Sequence, residues 1–282
     1  MKTAILTDST AYIPEELREK YHIHMIPLSV VISGETYQEE VNLSAEDFYT
    51  EVRNRKELPT TSQPPVGLFL ELFEKLAKDY DEVISIHLSS GISGTYNGAI
   101  TAGGMTSQID VYAYDSEISC MVQGFYAIQA AELAMEGKTA KEIIERLDET
   151  KKSVRAYFMV DDLSHLQRGG RLNGAQAFIG SLLQVKPLLH FVDKQIVPFE
   201  KIRTRKRALG RIHELFAEDA SKGIPLRAAV IHANRPDEAK EMKAALEAEY
   251  PHVDFYLSYF GPVIGTHLGE SAIGLGWCKK EK

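Results

Sequence analysis

The sequence predicts an α/β protein in two parts. An N-terminal parallel-sheet α/β domain covers residues 1–153 and a C-terminal α+β domain covers 154–282. Three observations point there. In the first half, short apolar runs alternate with segments of helical spacing, the pattern of a parallel sheet covered on both faces. In the second half, two apolar runs flank Asp193-Lys194 as a hairpin, and β-α-β pieces follow. The chain is 44% apolar and 26% charged over 282 residues, which supplies a core and argues against disorder.

Each element follows from local chemistry. Residues 3–7 read as a buried strand, closed by the polar turn Asp8-Ser9-Thr10. Pro14 opens a short helix to residue 21. Residues 23–32, β-branched and apolar, read as one second strand. Ser44 precedes a helix, with Asp47 three residues on as its capping partner. Pro64-Pro65 opens a helix through residue 78, with Leu68, Leu72, Phe73 and Leu76 at helical spacing. A strand over 82–87, a helix over 92–101 and a strand over 109–114 follow, then helices over 118–135 and 139–150. The boundary is placed near residue 153, after the charged stretch 149–152. Beyond it, 156–160 reads as a strand, and 185–192 with 195–199 as the hairpin. Residues 226–232 and 253–258 read as strands around a helix over 236–250, and 271–277 as a last short strand.

Composition narrows the function. The formal net charge is −8, and an acidic chain is a poor default binder of nucleic acid. Cys120 and Cys278 stand far apart with no C-x-x-C, so neither a disulfide framework nor a zinc site is expected, and a reducing cytoplasm fits. The first ten residues reach a charge at Asp8, so no apolar signal core is expected, and no apolar run is long enough to predict a membrane span. No metal site is expected, since no His/Cys cluster or H-E-x-x-H occurs. Gly137-Lys138-Thr139 looks like the end of a P-loop, but Glu132 stands where its first glycine belongs. Gly274-Leu275-Gly276 lacks the remainder of a dinucleotide fingerprint.

Ligands of open α/β sheets gather beyond the carboxyl ends of the strands. Four polar loops occupy such places or precede a helix: Thr7-Asp8-Ser9-Thr10, Thr60-Thr61-Ser62-Gln63, Ser89 to Thr95, and Asp115-Ser116. The second and third put hydroxyls and free N–H groups at helix N-termini, which attract anions. Ser and Thr also cap helices routinely, so one such loop alone carries little; several together favour a site. A serine hydrolase acting on acyl esters is the alternative. Gly91-Ile92-Ser93-Gly94-Thr95 resembles a nucleophile elbow with Thr95 in place of its second glycine, and His267 and Asp8 would complete a triad if the fold gathered them.

Arg168-Gly169-Gly170-Arg171 places two planar forks beside a sharp turn, and Asn173 is positioned to cap a following helix. Arg203, Arg205, Lys206, Arg207 and Arg211 follow, and the spacing 203, 207, 211 would stack three arginines on one helix face. Residues 160–211 hold ten Lys and Arg against four Asp and Glu, a basic segment inside an acidic chain.

Together these segments resemble the DegV family of bacterial fatty-acid-binding proteins. The resemblance covers essentially the whole chain. It rests on Thr7 to Thr10, Thr61-Ser62-Gln63-Pro64, Leu88 to Tyr96, Asp115-Ser116, Arg168 to Arg171, Lys186-Pro187 and Gly265-Thr266-His267. It implies a two-domain DegV-like fold with a long-chain fatty acid buried between or within the domains, no other cofactor and no catalytic residue of its own. By motif, Thr61, Ser62, Ser93 and Gly94 are implied to hold the carboxylate, with His267 as a further polar neighbour. The family further implies a partner, a separate fatty acid kinase domain protein that phosphorylates the bound acid to an acyl phosphate for phospholipid synthesis. Transient membrane contact would serve lipid exchange. Arg168, Arg171, Arg203, Arg205 and Arg207 are expected to face that partner. One departure stands out: where the family tends to read Gly-Pro-Gly after the histidine motif, this chain has Gly269-Glu270-Ser271, bringing an acid near the site.

Overall fold

The computed structural model describes residues 2–53, 55, 57–172 and 186–280. It is a mixed α/β structure in which a parallel four-stranded sheet and a separate mixed six-stranded sheet share one buried helix. The chain starts with β1 (Thr3–Asp8), a 3-10 turn (Ser9–Ala11), α1 (Glu15–Lys20) and β2 (Ile23–Ile26). A three-stranded antiparallel sheet is then built from β3 (Ser29–Ile32), β4 (Glu35–Gln38) and, beyond α2 (Ala45–Val52), β5 (Thr60–Ser62). After α3 (Val66–Leu76) come β6 (Glu82–His87), α4 (Thr95–Gly103) and β7 (Asp110–Asp115), which complete the parallel sheet in the order β2-β1-β6-β7.

Helices α5 (Cys120–Met135) and α6 (Ala140–Lys151) lead to the second sheet. Its strands are β8 (Arg155–Met159), β9 (Lys186–Val192), β10 (Gln195–Ile202), β11 (Leu226–His232), β12 (Val253–Tyr259) and β13 (Ile273–Lys279). Their order is β10-β9-β8-β13-β11-β12, with only β11 and β12 parallel. Helices α7 (Ser164–Arg168), α8 (Arg205–Ala220), α9 (Pro236–Glu249) and α10 (Pro262–Leu268) complete the described elements.

The layers follow from which faces are apolar. Every residue of α5 from Cys120 to Ala131 is buried, as expected of a helix that is apolar on all sides. It packs on β1, β2 and β6 of one sheet and on β11, β12 and β13 of the other. Phe69, Phe73, Ala99 and Ala102 of α3 and α4 cover the far face of the parallel sheet. Ile212, Phe216 and Leu246 of α8 and α9 cover the far face of the mixed sheet, around Trp277.

Several expected elements differ. Residues 23–32 are two strands in two sheets, because Pro27 has no N–H for a ladder and the chain turns away there. Ser33 and Gly34, at φ 52 and 86, make the tight turn into the unexpected β4. Thr60-Thr61-Ser62 is an edge strand paired to β3 rather than a loop, as β-branched threonine favours. The helix expected from residue 92 starts at Thr95, behind the serine loop. The hairpin turn holds, with Asp193 and Lys194 both in the left-handed region at φ 46 and 72. Thr204 caps α8, so Arg203 lies before the helix and only Arg207 and Arg211 of the expected three-arginine stack share it. Asn173 and Val185 lie outside the described residues.

Candidate functional site

A cavity of about 290 Å³ lies between the two sheets, at the N-terminus of α5. Its walls are apolar: Leu88 and Ile118 from the loops after β6 and β7, Val122 from α5, Phe158 from β8, Phe191 from β9 and Ile264 from α10. Its polar lining comes from five places. These are Thr61, Ser62 and Gln63 at β5, Ser93 and Gly94 at the start of α4, Ser119 and Cys120 at the start of α5, His267 on α10, and Arg171 just after α7. All five residues expected to hold a carboxylate therefore line one cavity, although Thr61 and His267 are 206 positions apart.

Helix α10 is fixed by groups buried beneath it. Glu39 is fully buried and accepts hydrogen bonds from Val263 N at 2.7 Å, Tyr12 OH at 2.8 Å and Ser9 Oγ at 2.5 Å. Ile264 N donates to Tyr12 OH, and Tyr49 OH donates to the Phe260 carbonyl at 2.7 Å. The first turn of α10 thus finds acceptors for its free N–H groups in side chains, as a buried helix end requires. Burial pushes the Glu39 carboxyl up to about 8, against the pull of its three donors.

The His267 ring is held on both sides. Its Nε2 lies 2.8 Å from Thr61 Oγ1. Its Nδ1 is buried with no partner among the described residues, and a methyl group added at Gly169 would overlap it. Burial, then the Arg171 and His165 charges, lower the imidazole to about 4, so it is neutral at pH 7. A neutral ring carries one proton, and a buried N–H without an acceptor is rarer than an unsatisfied acceptor. The proton therefore belongs on Nε2, donating to Thr61 Oγ1, which leaves the Thr61 hydroxyl proton free for a ligand. Ser93 Oγ lies 2.9 Å from Thr95 Oγ1 and accepts from Thr95 N, which places it at the α4 N-terminus.

The arginines divide. Arg171 Nε donates to the Ile92 carbonyl at 3.1 Å and its Nη1 to the Gly169 carbonyl, so it ties the Gly-Gly turn to the serine loop. It lines the cavity instead of facing outward as expected. Arg205 is also committed: it grips Glu238 with Nε and Nη2 at 2.8 and 2.6 Å and donates to the Ser271 carbonyl. Arg168, Arg203 and Arg207 are exposed and line none of the cavity.

The hydrolase triad is not assembled. Asp8 is fully buried and bonded to His87 Nδ1 at 3.0 Å, to Leu88 N, and to Thr10 through both N and Oγ1. Burial raises that carboxyl, but these hydrogen bonds outweigh it and leave it below the usual carboxylate range. His87 Nε2 in turn meets Ser85 Oγ at 2.6 Å, and Ser85 and His87 are both fully buried. The Asp8 loop is thus a structural network. The Asp115 loop is another, since Asp115 accepts from Ser90 N, Ser90 Oγ and Glu117 N and pairs with Lys194. Two of the four polar loops reach the cavity and two brace it. Glu270 does not enter the site either. It pairs with Arg53 at 2.7 Å and accepts from Asn234 Nδ2, and chiefly the Arg53 bond holds it below its ordinary range.

Sequence reasoning missed several lining residues. Ser119 and Cys120 enter at the α5 N-terminus, and burial pushes the Cys120 thiol up to about 12, so it is a neutral thiol. Gly274 and Gly276 also line the cavity. A side chain at Gly276 would collide with Val122, so this glycine lets α5 close on β13. Alternate glycines in a strand were the available signal. Among the described residues, no group of His, Cys, Asp and Glu could hold a metal ion, and no helix is long and apolar enough to cross a membrane.

The family model described as "Uncharacterised protein, DegV family" matches residues 2–280. Protein DegV of Bacillus subtilis strain 168 is 65% identical over 281 residues, spanning 99% of this chain and all of that protein. The crystal structure of DegV, a fatty acid binding protein from Bacillus subtilis, superposes with a TM-score of 0.95 at 65% identity, covering 99% of this chain and 100% of that one. A structure reporting fatty acid binding of a DegV family protein from Thermus thermophilus superposes with a TM-score of 0.93 at 28% identity, with coverage of 99% and 100%.

Proposed function

The chain belongs to the DegV family, and from that premise we propose that it is a carrier that binds a long-chain fatty acid in the cavity between its two sheets. The observation that carries this reading is the cavity itself: a largely apolar space whose polar lining is hydroxyls, helix N-terminal N–H groups, the Gln63 amide, a neutral imidazole and the Arg171 guanidinium. Burying an acyl chain supplies ~0.8 kcal/mol per methylene, and the carboxylate then needs donors when it leaves water. Thr61, Ser62, Ser93 and the Gly94 backbone supply them. His267 directs the Thr61 proton to the ligand by occupying that hydroxyl's lone pair. The Arg171 charge and the N-termini of α4 and α5 favour an anion there. The two relatives described as fatty acid binding support the same ligand class.

The finer reading is that the protein presents its ligand to a separate kinase. A carboxylate oxygen held by neutral donors keeps its lone pairs for attack on the γ-phosphorus of ATP, giving the acyl phosphate and ADP. The cationic surface left for that partner is Arg168, Arg203 and Arg207, since Arg171 and Arg205 are engaged internally. The lobes 1–153 and 154–282 would each supply one wall of the cavity, and the carrier would work in the cytoplasm with transient membrane contact to exchange lipid.

Gentle extraction of the purified protein followed by mass spectrometry tests the ligand. A bound long-chain acid, or one taken up on incubation, is the expected result. A protein that carries none and takes up none refutes the reading. Addition of a kinase domain partner and ATP should then yield acyl phosphate only when both proteins are present.

A further inference from the structure

A second hollow, of about 550 Å³, lies along the carboxyl-terminal half of α5, and it shares no lining residue with the main cavity. Its floor is formed by buried residues: Phe125 and Gln129 of α5, Arg227 of β11 and Cys278 of β13. Arg227 Nη2 donates to both carboxylate oxygens of the half-buried Glu132 at 2.7 Å, which fixes the guanidinium and balances its charge. Burial pushes the Cys278 thiol up to about 12, so it adds no charge. Two donors are left over. Gln129 and Arg227 are each 7% exposed, and Gln129 Nε2 and Arg227 Nε are buried without an acceptor among the described residues. Folded chains rarely leave one such N–H unmet, and here two belong to the floor of one hollow. Around the rim stand the exposed Lys138, Arg146 and Lys279, and none of these three side chains forms a hydrogen bond or ion pair among the described residues. Of the rim carboxylates, Glu142 is engaged by Thr139 in the capping box of α6, which leaves Glu136 and Glu145.

We propose that this hollow is a second binding site, for a small polar molecule that carries an oxyanion, either a carboxylate or a phosphate group. Its oxygens accept from Arg227 Nε and Gln129 Nε2, the two donors that the fold leaves without acceptors. Glu132 keeps Nη2, so the ion pair holds the guanidinium in place while Nε takes the ligand. Lys138, Arg146 and Lys279 favour a negative group at the rim, and Glu136 and Glu145 set among them limit the charge the site tolerates. A polar floor of this kind does not suit an acyl chain, so the site is distinct from the fatty acid cavity in chemistry as well as in place.

The test is calorimetric titration of inorganic phosphate and, separately, of succinate into the purified protein at constant ionic strength. NMR of the Gln129 side-chain amide and the Arg227 Nε–H runs in parallel. Saturable binding of either anion, with movement of both resonances, is the expected result, and the anion that binds identifies the oxyanion. Gln129→Met keeps the length of the side chain but removes its donor, and should weaken binding about tenfold. Lys279→Ala, at an exposed position, should weaken it about threefold and serves should the methionine variant fail to fold. Thr61→Val, in the main cavity, should leave it unchanged. Resonances that neither anion moves assign the two donors to ordered water and overturn the site. Binding that is as tight in Gln129→Met and Lys279→Ala as in wild type lies elsewhere on the protein and overturns it as well.

Discussion

Glu39 and His267 oppose each other in the pH dependence of stability, and replacing Glu39 separates them. The folded protein holds the Glu39 carboxyl at about 8, against 4.5 for an unperturbed glutamate. Its folded pKa is raised, so the stability it contributes is complete below pH 4.5, erodes as the unfolded chain ionises, and is gone above pH 8. A difference of this size corresponds to about 5 kcal/mol over the whole window. His267 runs the other way. Its folded value is about 4 against 6.5, so the unfolded chain binds the extra proton and stability rises by about 3 kcal/mol from pH 4 to 6.5. His24, His190 and His232, all lowered chiefly by burial, add to that rising limb. The two effects largely cancel between about pH 4.5 and 6.5, and from about pH 6.5 to 8 the Glu39 loss of about 2 kcal/mol remains, with Glu40, also raised by burial, acting in the same direction. Glu39→Gln keeps an acceptor for Val263 N and Tyr12 OH but has no charge to gain. It should cost about 1 kcal/mol at acid pH, for the imperfect bond to Ser9, and should decline much less than wild type from pH 6.5 to 8. The assay is urea unfolding of lipid-free protein at a series of pH values, followed through Trp277, the single tryptophan and a buried one. Lipid must be absent because a ligand adds its own stabilisation. If the glutamine variant declines from pH 6.5 to 8 as steeply as wild type, Glu39 is not the titrating group and the reasoning fails.

Three further outcomes follow from the geometry. Thr61→Val removes the hydroxyl that His267 orients, and should weaken fatty acid binding by about 10- to 100-fold in a fluorescence displacement titration, with little change in unfolding midpoint. Gly169→Ala drives a methyl group into His267 Nδ1; it should cost about 1–3 kcal/mol of stability and lower ligand affinity as well, because the ring carries Thr61 with it. Arg205→Ala should cost about 2 kcal/mol by stranding Glu238, whereas Arg203→Ala should leave thermal stability unchanged and slow only kinase-dependent phosphorylation.

What was legible in the sequence was local. The alternation of strands and helices, the Ser44 and Asp47 cap and the Asp193-Lys194 hairpin each depend on a few neighbouring residues, and each is present. Pro27 is legible too, but the β-branched residues around it outweigh it and suggest one strand where two exist. The short α10 escaped because its periodicity is too brief, and because it is held by Glu39, Tyr12 and Tyr49, which are more than two hundred positions away in the chain. The same limit applies to the arginines. A basic run reads as a surface, but whether an arginine is free depends on which carboxylate or carbonyl the fold brings to it, and Glu238 and Ser271 are distant in sequence from Arg205.

The Gly-Gly turn between Arg168 and Arg171 shows how the local reading misassigned a cause. Two arginines beside a flexible turn suggest an anion fork. The structure uses them differently: Gly169 is small because His267 lies against it, Gly170 takes φ 67 to reverse the chain, and Arg171 staples the turn to Ile92 in the serine loop. The motif thereby sets both halves of the polar lining at once, the imidazole on α10 and the hydroxyl at the start of α4. Its positive charge also helps to keep His267 neutral. A neutral His267 can hold its Nε2 proton towards Thr61 without competing for the ligand, whereas a cationic one would pair with a bound carboxylate directly and, in the proposed phosphoryl transfer, draw electron density from its attacking oxygen. Arg171→Gln should therefore raise the His267 pKa towards its ordinary value. NMR titration of the ring would show this, and an unchanged titration would place the cause in burial alone.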